Sequence, residues 1–276
     1  MAIRNIKNTV ILAIITVASI SSCQQDYYFS LNPRDDQTGQ FTKETYYCEN
    51  EPEIEIGSVE NTYDSDGNLI LTKKKLFGSY YSMTEKLYDY SGLKTIDNVY
   101  SFSNGSWELN YTYEYFYSLD ILQKKITKNQ DGIETNKTVY SYRGRKLDWE
   151  DFYRFSEGEW KFRYAHKFDF NGNGQLARKS SYQTVEKDKV YDYFTYSYKK
   201  GKLSEEERIL ITGKVGYHKD YFYNQDGTLD YIIQDGNMVE ENFYENGRLI
   251  EKHTWYYGID PGFYFCGGNI IYRYEY

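Results

Sequence analysis

The chain has 276 residues, 34 of them tyrosine and only 3 proline, and its 41 acidic side chains outnumber 33 basic ones for a formal charge of −8. That balance excludes nucleic acid as a partner, because release of counterions from a polyanion needs a concentrated basic face and here Lys and Arg are dispersed. An acidic, polar body suits a soluble module outside the cytoplasm.

Residues 1–22 come first. Arg4 and Lys7 make a short basic start, and the apolar run from Val10 to Ile20 is too short to span a bilayer as a mature helix. This predicts a cleaved signal peptide. The run ends Ile20-Ser21-Ser22-Cys23, which resembles the lipobox of bacterial lipoproteins and implies lipidation of Cys23 as the new N-terminus. Loss of Arg4 and Lys7 would leave the mature chain more acidic still. Acyl chains on Cys23 would hold it to a membrane of the cell envelope, expected to be the outer membrane, on its periplasmic or surface-exposed face. Residues 23–50 carry the polar stretch Asn32 to Gly39 and few periodic features, and read as lipidated N-terminus and tether.

With Cys23 committed to lipid, Cys48 and Cys266 remain, and an oxidising compartment permits them to pair. Neighbouring strands sit about 4.8 Å apart, whereas a disulfide needs Cα atoms within about 7 Å. A bond between residues near opposite ends of the body therefore demands closure or strong curvature. The alternative is two separate thiols packed as small apolar groups.

The body, residues 51–276, is an internal repeat. Its unit is an aromatic alternation, a turn carrying Gly, then Leu and a second strand. It occurs at Tyr63 to Leu69, Tyr88 to Leu93, Tyr140 to Leu147, Phe168 to Leu176, Tyr196 to Leu203, Tyr223 to Leu229 and Phe243 to Leu249. Second turns lie between the copies, at Asn104-Gly105, Asp131-Gly132, Glu157-Gly158, Gly213-Lys214 and Asp235-Gly236. Asp-Gly and Asn-Gly favour tight hairpins, and the flanking Tyr, Phe, Thr, Val and Ile suit a pleated surface. The fold predicted is all-β, an antiparallel hairpin meander or repeat array of roughly sixteen to eighteen strands, with a closed or propeller-like arrangement as the alternative. The run Glu205-Glu206-Glu207 between Leu203 and Leu210 tempts a helix reading, but repeat copies flank it and it is assigned to a strand.

At these residues the chain resembles YD-repeat proteins of the RHS type, in which an aromatic, often Tyr-Asp, precedes a Gly turn and a Leu. Tyr63 to Leu69 fits that unit closely, and Phe168 to Leu176 carries an inserted residue. With the lipobox, the chain also resembles YD-repeat-like lipoproteins common in Bacteroidetes. Tyr223 to Leu249 is similar to MORN-like repeats as well. The resemblance implies a β-repeat fold; the toxin-enclosing role of large RHS proteins does not transfer to a chain of this size.

No catalytic constellation stands out. His166, His218 and His253 fall on different repeats, and no hydrolase or nucleotide-binding motif is present. No cofactor is expected. Asp169 to Gly174 mimics the start of a calcium loop, but Ser180 stands where a bidentate Glu is required and the segment keeps the register of the repeat turns. No metal is expected either. The candidate ligand-binding residues are Trp107, Trp160, Trp149 and Trp255, since exposed rings on a rigid sheet stack on sugars or anchor proteins; packing within the sheet is the alternative. Trp107 and Trp160 follow Gly-bearing turns, where access is greatest. The function expected is a non-enzymatic binding or scaffold module for glycan or an envelope protein. A structural protein assembling through sheet edges such as Ile270 to Tyr276 is the second class, and a carboxylate-pair glycoside hydrolase the third.

Overall fold

A computed structural model describes residues 40–255 and 269–276. The first 39 residues, with Cys23, and the stretch 256–268, with Cys266, lie outside it. Among the described residues there is no helix; 18 strands, each hydrogen-bonded to its chain neighbour, make one antiparallel sheet, and the first strand pairs with the last. The ladder thus closes into a β-barrel. Between the meander and the closed arrangement that the sequence left open, closure wins. It also removes the free edge that assembly through Ile270 to Tyr276 would need.

The chain groups into two compact units, one formed by residues up to Ile56 with Asp220–Tyr276, the other by Gly57–Lys219. The first unit contains β1 (Lys43–Cys48), the start of β2 (Glu51–Tyr63), the end of β14 (Val215–Tyr223), β15 (Leu229–Gln234), β16 (Asn237–Glu245), β17 (Arg248–Trp255) and β18 (Asn269–Glu275). Leu229 and Ile232 are 1% exposed and Ile270 is 2% exposed, and the buried Asn242 donates to the buried Glu240 beside them. β1 lies inside the stretch read as tether, so among the described residues the first strand starts at Lys43, ahead of Glu51. Only Thr45-Tyr46-Tyr47 announces it, six residues without the repeat signature. Cys48 sits at the end of β1 opposite Ile270, packs with Ile270, Tyr46, Ile56 and Tyr272, and is disulfide-bonded.

The second unit contains the rest of β2 and β14 with β3 (Leu69–Leu76), β4 (Ser79–Tyr88), β5 (Lys94–Ser103), β6 (Ser106–Ser118), β7 (Ile121–Asn129), β8 (Glu134–Arg143), β9 (Lys146–Ser156), β10 (Glu159–Phe170), β11 (Leu176–Tyr182), β12 (Val190–Lys199) and β13 (Lys202–Leu210). The Glu205 to Glu207 run is strand, as the repeat register required.

The repeat motif has a physical reading. Its acidic or amide residue caps the turn: one side-chain oxygen of Asp64 accepts the amides of Asp66 and Asn68, and Asp89 does the same for Ser91 and Leu93. Asn171 repeats the pattern with Asn173 and Gln175. These bonds hold the Asp64 and Asp89 carboxyls below the usual range. The glycine takes positive φ, 84° at Gly67, where a Cβ would clash. The strand-end tyrosine clamps the preceding hairpin. Tyr88 donates to the Leu69 carbonyl at 2.9 Å, Tyr142 to Leu122 at 2.7 Å and Tyr198 to Leu176 at 2.9 Å. Tyr117 donates likewise to Lys94, and Tyr276 to Leu249. Burial raises the pKa of all five hydroxyls, so each keeps its proton to donate. At the Phe170 copy the ring remains and the donor is lost.

Candidate binding cleft on strands β10 to β12

In the second unit a row of polar side chains crosses one face of the sheet. Glu150 on β9 is directly opposite His166 on β10, His166 opposite Ser181 on β11, and Ser181 opposite Asp192 on β12. Directly paired residues share a face. Glu150 is 0% exposed and Asp192 6% exposed. Lys179, two residues from Ser181, lies on the same face.

Electrostatics divide this row into two parts. Neither carboxylate oxygen of Glu150 accepts a hydrogen bond among the described residues, and burial pushes its pKa well up, opposed by Lys179. Burial, reinforced by the Lys179 charge, pushes His166 down to about 3, so the ring is neutral. Phe152 and Tyr164 pack against that ring at centroid distances of 5.4 Å each. Asp192, by contrast, is held in an ion pair. Arg208 donates from Nε and Nη2 to its Oδ2 at 3.0 and 2.7 Å.

The open end of the row is a cleft of about 540 Å³. Ser181 and Asp192 form its lining with Tyr164, Tyr182 and Gln183, and two further side chains, Arg163 and Tyr191, complete it. Those two occupy equivalent special positions. The β9–β10 register passes from Phe162↔Tyr153 to Tyr164↔Phe152 and skips Arg163; the β11–β12 register passes from Ser181↔Asp192 to Tyr182↔Val190 and skips Tyr191. Each is the extra residue of a β-bulge, a device that re-aims a side chain. Bulges recur along the repeat, for example at Lys74/Lys75 and Val99/Tyr100, but here two adjacent ones face one cleft. Arg163 and Tyr191 are exposed, and neither makes a hydrogen bond, ion pair or ring contact among the described residues.

The tryptophans lie elsewhere. Trp107 packs between Phe102 at 5.0 Å and Tyr80 at 5.9 Å. Trp160 packs on Phe155 at 5.2 Å, with the Lys137 ammonium 4.5 Å from its ring centre. Trp255 contacts His253 at 6.0 Å. Trp149 alone borders the cleft, 5.2 Å from the Tyr182 ring, with Lys187 4.2 Å from its own ring centre. Sequence reasoning missed Arg163 and Tyr191, since a bulge depends on pairing. One signal was available: residues 183–189 stretch the turn beyond the two- to five-residue turns around it. No group of three or more metal-ligating side chains occurs among the described residues.

Fold and site together define a closed antiparallel β-barrel with a polar, tyrosine-lined cleft. The sequence matches no family model and no curated protein. Similar solved structures include TcdB2-TccC3-TEV, 12% identical, TM-score 0.37, covering 72% of this chain and 12% of that one, so the chain spans only a small part of that protein. A porin-like protein from Bacteroides uniformis ATCC 8492 is 12% identical with TM-score 0.46, covering 86% of this chain and 96% of that one. A porin-like protein from Bacteroides vulgatus ATCC 8482 is 11% identical with TM-score 0.31, covering 86% and 98%.

Proposed function

We propose that this protein is a non-enzymatic saccharide-binding module of the cell envelope, held to a membrane by lipid on Cys23. The observation that carries the reading is the convergence on one cleft of three tyrosine rings with Arg163, Gln183 and Ser181. Sugars are bound by this combination, with aromatic faces for C–H surfaces and polar groups for hydroxyls. A volume of about 540 Å³ accommodates a mono- or disaccharide. Among the described residues, Asp192 is the only carboxylate lining the cleft, and it is already paired to Arg208, so they offer no acid/base pair for hydrolysis there.

A protein partner is the second reading. Turns at one end of the second unit expose Phe77, Ile133, Val185 and Ile211, at 52, 56, 62 and 51%.

Trp149, in contact with Tyr182, is a built-in reporter. Titration of the purified protein with a panel of bacterial and host saccharides should give saturable tryptophan fluorescence changes that Tyr191→Ala abolishes. A flat response across the panel refutes saccharide binding and leaves the apolar turns as the site to crosslink.

A further inference from the structure

Granting that the cleft binds saccharide, we infer that its ligand is acidic, a sugar bearing a carboxylate that the Arg163 guanidinium receives. Three observations support this. The protein is acidic, at −8, yet the cleft is not. Its one carboxylate is neutralised by Arg208, both bonds falling on Oδ2, whereas Arg163 has no counter-charge among the described residues. An arginine left unpaired where acidic groups are in excess is available for a ligand's negative charge.

The second observation is geometric. Arg163 is the extra residue of the β10 bulge, and Tyr191 that of the β12 bulge, so both sit outside the ladder and line a cleft with Ser181 and Tyr182 from the end of β11. A planar guanidinium donates two parallel N–H bonds to a carboxylate, a match that an ammonium lacks. The third is the donor excess. The Ser181 hydroxyl, the Gln183 amide and the Tyr182 and Tyr191 hydroxyls can all donate, and none of these side-chain groups has a hydrogen-bond partner among the described residues. Such a lining suits a carboxylate flanked by ring hydroxyls, as in a hexuronic acid.

The test compares digalacturonic acid with the neutral digalactose of the same linkage, by calorimetry on the purified protein. The acidic sugar should bind at least about tenfold more tightly, the scale of one charge-assisted hydrogen-bonded pair. Arg163→Gln should erase that preference while weak neutral binding persists, and Arg163→Lys should restore only part of it. Raising salt should weaken the acidic ligand alone. Equal affinity for both sugars, unchanged in Arg163→Gln, overturns the acidic-ligand inference but leaves the saccharide cleft standing. No binding of either sugar, together with no response to the wider panel, overturns both. Circular dichroism of Arg163→Gln separates lost recognition from lost folding.

Discussion

One repeat builds two interiors that differ in their share of buried charge. Strands β15 to β18 with β1 bury Leu229, Ile232, Leu249 and Ile270, and a single buried carboxylate, Glu240, which accepts from Asn242. Strands β9 to β13 bury Glu150, Asp192 and Glu206, with Lys179, Arg208 and Tyr217 as their partners or neighbours. Apolar burial stabilises in proportion to area and asks little of geometry. Buried charge costs desolvation and repays it only where partners are placed, which makes it poor glue and a good site for recognition. The cleft lies at the end of the charged stretch. The disulfide of Cys48 lies in the apolar one, where the first and last strands meet.

The largest effect expected is at that seam. We take Cys266 as the partner of Cys48. Closure brings Cys48 opposite Ile270, four positions along the chain from Cys266, and so meets the condition that sequence set for such a bond. Cys266→Ser should expose a Cys48 thiol to alkylation and lower stability to denaturant by about 3 kcal/mol or more, since the loop closed is long. A Cys48 that stays bridged in this variant would point to Cys23 and undo the lipidation proposal as well.

The second prediction concerns pH and isolates the charged stretch. His166 has a folded pKa of about 3, below its usual 6.5. Its favourable contribution is therefore complete above pH 6.5. As pH falls from there toward 3, the unfolded chain takes up a proton that the folded one refuses, and stability drops by about 1.4 kcal/mol per pH unit. Glu150 acts in the opposite sense. Its raised pKa adds stability below the usual 4.5 that is lost as pH rises through the folded value. His166→Gln should remove only the first slope, and unfolding curves at pH 7, 6, 5 and 4 would show the variant overtaking the parent. Parallel curves would mean that His166 is not held neutral.

The smallest effect tests the clamp common to both stretches. Tyr198→Phe, which loses the hydrogen bond to the Leu176 carbonyl, should cost about 1 kcal/mol. Phe170→Tyr, which supplies the missing hydroxyl, should recover up to a similar amount. Differential scanning calorimetry resolves both; a Tyr198→Phe variant with unchanged melting would reduce the clamp to ring packing.

Much of the fold was legible because its signals are local. Turn glycines such as Gly67, Gly92 and Gly174 take positive φ, and Asp64, Asp89 and Asn171 cap their own turns within four residues. Strand number and antiparallel order followed. The neighbours of the tryptophans mark the limit of such reading. Trp107 and Trp160 follow Gly-bearing turns, stay partly exposed, and meet the cross-strand rings of Phe102 and Phe155 edge-on. Which aromatic faces another depends on register, and register is shifted by bulges no single strand reveals.

The sequence by itself determined an all-β repeat, its turn chemistry, an acidic surface and, through the lipobox resemblance, an expected anchor at Cys23. Each follows from residues within a few positions of one another. Tertiary structure alone decided that the sheet closes, that Cys48 meets the last strand, and that Arg163 and Tyr191 share a cleft with Asp192 already paired. Those are relations between strands far apart in sequence, set by pairing register, and a local pattern carries no record of them.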